Sequence, residues 1–216
     1  MPHLLHLDSS ADLDNSRSRA IGATFVEAWL AADPRNTVAH RDLHRDPLPH
    51  LPDASLHWPA HARPEGATPP AGAEALQAAL LVELLGADVV LVAAPLYNYS
   101  MPSTLKAWID YVHVPGVTAG DVRPLAGRPA VIISSRGASC DDGSPTAGWD
   151  HAAPAVQLVL GESMGMPVTV ITASLTLADT VPALAAQADR AHDELALAHE
   201  EAASAGSRLG GMTRLE

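Results

Sequence analysis

No disulfide can form within this chain, because Cys140 is the single cysteine among 216 residues. A lone thiol is compatible with a reducing cytosol, and the expected location is cytoplasmic. Basic residues are scarce: 13 Lys and Arg face 25 Asp and Glu, for a formal charge of -12 with His neutral. Such a chain repels phosphate backbones and anionic headgroups, which argues against nucleic acid or a membrane as partner. Long apolar runs are missing too. The longest, Ala75 to Leu96, is broken by Glu83 and Asp88 and falls short of the roughly 20 clean residues a membrane span needs. The first residues, MPHLLHLDSS, have neither the basic region nor the apolar stretch of a secretion signal. Aromatics are few, with one Phe, three Tyr and four Trp, yet two of the tyrosines, Tyr97 and Tyr99, fall on one turn.

What is present is enough apolar side chain for a core, 47% of residues, so the chain is globular. Leu4, Leu5 and Leu7 form a short buried strand. Ile21, Phe25, Ala28 and Trp29 follow at helical spacing, stopped by Asp33-Pro34. Thr37-Val38-Ala39 is a weak second strand. Residues 46–72 hold seven prolines and cannot be regular throughout; they are expected to form an extended surface excursion. Ala73 to Leu85 is helical, with Gly86 as its C-cap. Asp88 to Ala94, DVVLVAA, is β-branched and continuously apolar, as in a parallel strand covered on both faces. A helix from about Ser103, a strand at 129–135, a helix at about 153–163, a strand at 167–173 and a helix at 182–204 complete the series. Strict β-α alternation predicts an α/β three-layer fold with a parallel sheet and right-handed crossovers. The expected domain is 1–205, with 206–216 as a flexible tail.

In such folds ligands sit beyond the carboxyl ends of the strands. After the first strand comes SSADLDNSRS, where Ser9, Ser10, Ser16 and Ser18 stand beside a helix N-terminus. Free N–H groups and the helix dipole favour an anion there, and Arg17 adds a cation. Ser and Asn are also ordinary loop and cap residues, and the pattern is neither a Walker loop nor G-x-G-x-x-G. After the third strand comes Pro95-Leu96-Tyr97-Asn98-Tyr99, and after the fourth Ser134-Ser135-Arg136-Gly137-Ala138-Ser139. Flat aromatics and an amide on adjacent turns suit a flat heteroaromatic ring.

With SSADLDNSRS at the first turn, APLYNYSMPSTLKAWIDYV at the third and SSRGAS at the fourth, together with GVT at 116–118 and LGESMGM at 160–166, the chain resembles the flavodoxin-like, FMN-dependent NAD(P)H azoreductases and quinone reductases over roughly residues 3–175. The resemblance implies a five-stranded parallel sheet of order 2-1-3-4-5, a homodimer, and FMN as cofactor with NADH or NADPH as reductant. It implies that Ser10, Ser16, Arg17 and Ser18 hold the FMN phosphate. Pro95, Leu96, Tyr97, Asn98 and Tyr99 would line the ring, and Ser135, Arg136, Gly137 and Ala138 would meet its pyrimidine edge. No side chain is expected to carry the hydride; Tyr99 and Asn98 are supporting candidates. The implied activity is two-electron reduction of quinone, azo or related conjugated substrates. Two positions depart from the family: Ala119 stands where a Phe is usual after Gly-Val-Thr, and Glu162 where an aromatic is usual after Leu-Gly. These imply a wider or more polar substrate pocket and a specialised substrate, with Trp58 of the excursion as a lid aromatic.

Two other functions stay open at this point, a flavodoxin-like electron shuttle without its own substrate and a fold relative that has lost flavin. No metal site is expected. His57 and His61 are four apart, but Pro59 breaks the helix that would bring them together. The acidic turn Cys140-Asp141-Asp142-Gly143 reads as solvated, and His40, His44 and His50 as surface residues.

Overall fold

Alternation of buried strands and amphipathic helices produces the expected layers. The computed structural model describes residues 2–212. Strands β1 (His3–Asp8), β2 (Thr37–Asp42), β3 (Val89–Pro95), β4 (Ala130–Ser135) and β5 (Val168–Ala173) alternate with helices α1 (Arg17–Ala32), α2 (Ala71–Gly86), α3 (Ser103–Val112), α4 (Ala153–Gln157) and α5 (Ala188–Gly210). The five strands form one sheet in the order β2-β1-β3-β4-β5, and every pairing is parallel. The fold is flavodoxin-like, as expected.

The central strands read as unbroken apolar runs because both their faces are covered. On one face Leu5, Leu7, Val90, Val92 and Ile132 pack with Leu80, Leu84, Trp108 and Leu160. On the other, Leu4, Leu91 and Ile133 meet Ile21, Phe25 and Trp29 of α1 and Ala198 and Ala202 of α5. Helix α3 needs the strongest one-sided stripe, and Leu105, Trp108, Ile109 and Val112 are all buried.

Two expectations change, at Gly86 and at the C-terminus. Gly86 is the last residue of α2 rather than its cap: the cap is Ala87 in extended backbone, with its N–H on the Leu84 carbonyl. Residues 46–72 form an irregular surface segment, and they are anchored. Short 3-10 turns at Ala54–His57 and Ala60–Ala62 interrupt them, Leu56 is buried, and the Gln77 amide donates to the carbonyls of Leu56 and Tyr111. The C-terminal helix does not fray at 205. It continues to Gly210, with Gly206, Leu209 and Gly210 buried. A Cβ on Gly206 would stand 2.4 Å from the Phe25 carbonyl oxygen, so backbone meets backbone where α5 crosses α1. The end of the expected tail, residues 213–216, lies outside the described residues.

Candidate functional site

At the carboxyl end of the sheet the turns after β1, β3, β4 and β5 enclose a cleft of about 690 Å³. Ser10, Asp12, Asn15, Ser16 and Arg17 come from the first turn, Pro95, Leu96 and Tyr97 from the second, Ser135 and Gly137 from the third, and Thr176, Leu177 and Thr180 from the fourth. The volume is that of a small-molecule pocket.

The first turn is shaped by its own side chains. Ser16 is the N-cap of α1, and its hydroxyl accepts the Arg19 N–H. Asp12 accepts the amides of Asp14 and Asn15. The amides of Arg17 and Ser18 open a 16-residue helix and have no partner among the described residues, so two free donors stand at the positive end of the helix dipole, where an anion is favoured. Arg17 is exposed and forms no ion pair among the described residues. Ser18 lies beneath the site, fully buried, 3.1 Å from the Ser16 hydroxyl. Ser9 is structural: its hydroxyl donates to the Ala93 carbonyl and ties β1 to β3.

The second turn is a two-residue hairpin. Tyr97 and Ser100 exchange both backbone hydrogen bonds, at 2.8 and 3.0 Å. Asn98 and Tyr99 between them both have positive φ, 48° and 70°, the backbone of a type I′ turn. Asn tolerates that region and Tyr does not. The strain turns the Tyr99 ring outward, 54% exposed, where it meets Trp149 edge-on at 5.3 Å. The His151 N–H fixes the Tyr99 carbonyl. Tyr97 points the other way: its hydroxyl lies 2.9 Å from the Ser10 hydroxyl and accepts the Ala11 N–H, clamping the first turn to the second.

The structure therefore brings Ser10, Ser16, Arg17, Pro95, Leu96, Tyr97, Ser135 and Gly137 into one cleft. Asn98 and Tyr99 stand at the turn beside it. The Arg136 guanidinium leads away, 3.5 Å from Asp150, and Ala138 faces a separate depression with Asp141 and Arg190. The three expected substrate-pocket residues do not meet at the cleft. Ala119 is 1% exposed within the core beside α3, Glu162 is exposed on the turn after α4, and Trp58 projects from the excursion. Ala119 and Glu162 do not line the cleft within one chain. Sequence reasoning missed Thr176, Leu177 and Thr180. Their signal was positional, since they follow the last strand of the sheet; Leu177 also fills the space above Gly137, where a Cβ would come within 2.8 Å of it.

Behind the first turn, Arg19 donates to both Asp42 oxygens at 2.7 and 2.9 Å and to the Ser10 carbonyl, so a guanidinium fork holds the anion turn. Burial alone would raise the Asp42 carboxyl, but the Arg19 bonds and the amides of Arg45 and His44 reverse that and bring it down to about 2. Burial opposes ionisation of Asp8 as well, and the hydrogen bond from His40, the neighbouring His6 ring and the Arg19 charge hold it well below the usual carboxylate range.

Comparisons with known proteins agree with this fold. The family described as flavodoxin-like fold matches residues 2–198. An FMN-dependent NADH:quinone oxidoreductase of Kineococcus radiotolerans is 62% identical over 191 residues, 88% of this chain and 91% of the relative. A protein of the same name from Streptomyces avermitilis is 39% identical over 212 residues, 97% of each. Among solved structures, an azoreductase from Bacillus anthracis superposes with a TM-score of 0.79 at 22% identity, covering 96% of this chain and all of the other. An FMN-dependent NADH-azoreductase from the same species, in complex with FMN, gives 0.78 at 18% identity, covering 97% and 100%. At those identities the likeness speaks for the fold.

Proposed function

This chain belongs to the flavodoxin-like fold family, and from that premise we propose that it is an FMN-dependent NAD(P)H oxidoreductase that reduces quinones and azo compounds. The observation that carries the reading is the convergence of an anion-ready helix N-terminus with flat and apolar walls in one cleft. FMN carries a phosphate at one end and a flat tricyclic ring at the other, and both halves find matching chemistry. In this reading the Ser10 and Ser16 hydroxyls, the free amides of Arg17 and Ser18 and the Arg17 side chain hold the phosphate. Pro95, Leu96 and Tyr97 support one face of the ring, and the backbone of Ser135 to Gly137 borders its polar edge. Thr176, Leu177 and Thr180 close the far wall.

When bound, FMN supplies the redox chemistry, taking a hydride from the nicotinamide and delivering two electrons to the substrate. The protein's part is to fix the ring and to keep water from it. Asn98 and Tyr99 stand where they can border an incoming substrate. Two relatives named as FMN-dependent NADH:quinone oxidoreductases, one of them 62% identical, support the class. We also propose a homodimer, in which Trp58 of one copy reaches towards the site of the other, and a cytoplasmic location. Among the described residues no helix is long and apolar enough to cross a membrane.

The test is the visible spectrum of the purified protein, taken before and after anaerobic addition of NADH and then NADPH. Flavin bands that bleach with a nicotinamide and return on adding a quinone are the expected result. Bands that persist with both nicotinamides would leave an electron shuttle, and a colourless protein that ignores added FMN would remove the cofactor assignment.

A further inference from the structure

Immediately behind the anion turn, on the α1 side of the sheet, stands a group of side chains the proposed reaction does not use. His6 and Asp8 lie two residues apart on β1 and so share one face. His40 of β2 pairs in register with His6. His6 Nε2 is 3.6 Å from Asp8 Oδ1, and His40 Nε2 is 2.9 Å from Asp8 Oδ2. The three ligand atoms all fall within 4.8 Å of one another.

Two of these atoms lack partners in a place where that is costly. His6 Nε2 and Asp8 Oδ1 are buried without a hydrogen bond, and each side chain is only 8% exposed. Leaving such groups unsatisfied costs about 1–3 kcal/mol each. The two atoms lie 3.6 Å from each other. Gly22 of α1 stands close by, and a Cβ there would lie 3.0 Å from His6 Nε2.

From this geometry we propose that His6, Asp8 and His40 form a binding site for a borderline divalent cation of the Zn²⁺ class. Two imidazoles and one carboxylate are a common three-residue set for zinc. Tetrahedral bonds of 2.0–2.2 Å place ligand atoms about 3.3–3.6 Å apart; the two His–Asp separations stand near that value, and with all three atoms within 4.8 Å of one another a small side-chain movement closes the set. The fourth position is left for water. Mg²⁺ and Ca²⁺ are disfavoured because they take oxygen ligands. The His40 side chain is 47% exposed, which gives the ion a way in.

The charge balance permits a cation despite the nearby guanidinium. Arg19 approaches Asp8 Oδ2 at 3.4 Å, but its strongest bonds go to Asp42 and the Ser10 carbonyl. Asp42 is also paired with the exposed Arg45, 3.3 Å away, so Asp42 takes up most of the guanidinium charge and Asp8 is the carboxylate available to the ion. Arg19 then serves as the support that keeps Asp8 oriented.

The experiment uses the full chain with its flavin, stripped of metal by chelator, and titrates Zn²⁺ by calorimetry and Co²⁺ by its visible bands beyond the flavin absorption. The expected result is one equivalent bound, tetrahedral Co²⁺ bands, and at least about tenfold weaker binding in both His40→Ala and Asp8→Asn. His40 is half exposed, so its alanine variant keeps the fold even if Asp8→Asn does not. A variant lacking His57 and His61 should bind as the unaltered chain does. Absence of saturable Zn²⁺ binding up to about 1 mM, binding in His40→Ala equal to that of the unaltered chain, or loss on removing His57 and His61 instead would each overturn the proposal. These readouts do not depend on turnover, so the site can fail while the reductase stands.

Discussion

Tyr99 shows how a single residue can be chosen against its own backbone preference. A left-handed backbone costs a non-glycine residue about 1–2 kcal/mol, and the second central position of a type I′ turn is where glycine is favoured. Strain of this kind collects at sites where a side chain is needed. Tyr99→Gly should therefore raise thermal stability slightly, while lowering kcat/KM for a quinone by up to about tenfold, the worth of one aromatic stacking contact. Unfolding scans and steady-state kinetics on one preparation check both signs; unchanged kinetics would remove Tyr99 from the substrate site. Tyr97 makes the complementary case. Tyr97→Phe keeps the ring wall but removes the clamp on Ser10 and Ala11, a loss of about 1 kcal/mol. FMN should bind about fivefold more weakly, read by quenching of flavin fluorescence. Both tyrosines drew attention in the sequence because aromatics are so few. Their division of labour did not, because it depends on two positive φ angles that only the folded turn reveals.

At the level of elements, the crossing of α5 on α1 gives the sharpest expectation. Ala is a better helix former than Gly by about 1 kcal/mol, so propensity alone makes Gly206→Ala stabilising. The close approach to the Phe25 carbonyl oxygen reverses the sign, since forcing a methyl into packed backbone costs about 1–3 kcal/mol and more where nothing flexible can yield. A lower urea midpoint is expected, and a higher one would show that the helices can separate without loss. That crossing explains why the helix end was misread. An Ala- and Gly-rich end looks like a tail in sequence, and only the partner helix turns its small residues into a contact surface. The strands were legible for the opposite reason: VVLVAA and AVIISS need no partner to declare themselves buried on both faces. The excursion at 46–72 was legible as irregular from its prolines. Its anchoring through Leu56 and Gln77 was not, because those bonds span from 21 to 34 residues. The cleft was legible as three strand-end turns, and its fourth wall was missed because Thr176 and Leu177 carry no motif.

For the molecule as a whole, the anion turn, the sheet edge and the cofactor form one linked system. Arg19 bridges Asp42 at the end of β2 to the Ser10 carbonyl of the turn, so stability and cofactor binding should share a dependence on that guanidinium. Arg19→Met strands two carboxylates and should destabilise the chain by about 3 kcal/mol. The Asp42 carboxyl lies lower in the fold than in the unfolded chain, at about 2 against 3.8. Its contribution is therefore complete above about pH 4 and is lost as pH falls towards 2, so an acid titration of Arg19→Met should lose less stability across that window than the unaltered chain. Cofactor binding acts in the other direction. A ligand at 100 times its Kd stabilises by about 2.7 kcal/mol, and for a chain of this size each kcal/mol moves Tm by about 2–4 °C. Saturating FMN should thus raise the Tm of the apoprotein by about 5–11 °C. Replacing Ser16 and Arg17 together by Ala removes a cap and the cation proposed to meet the phosphate. That double variant should start from a lower Tm and gain only a small part of the FMN-induced rise at the same concentration. An equal rise in both proteins would mean that the phosphate is held somewhere other than the N-terminus of α1.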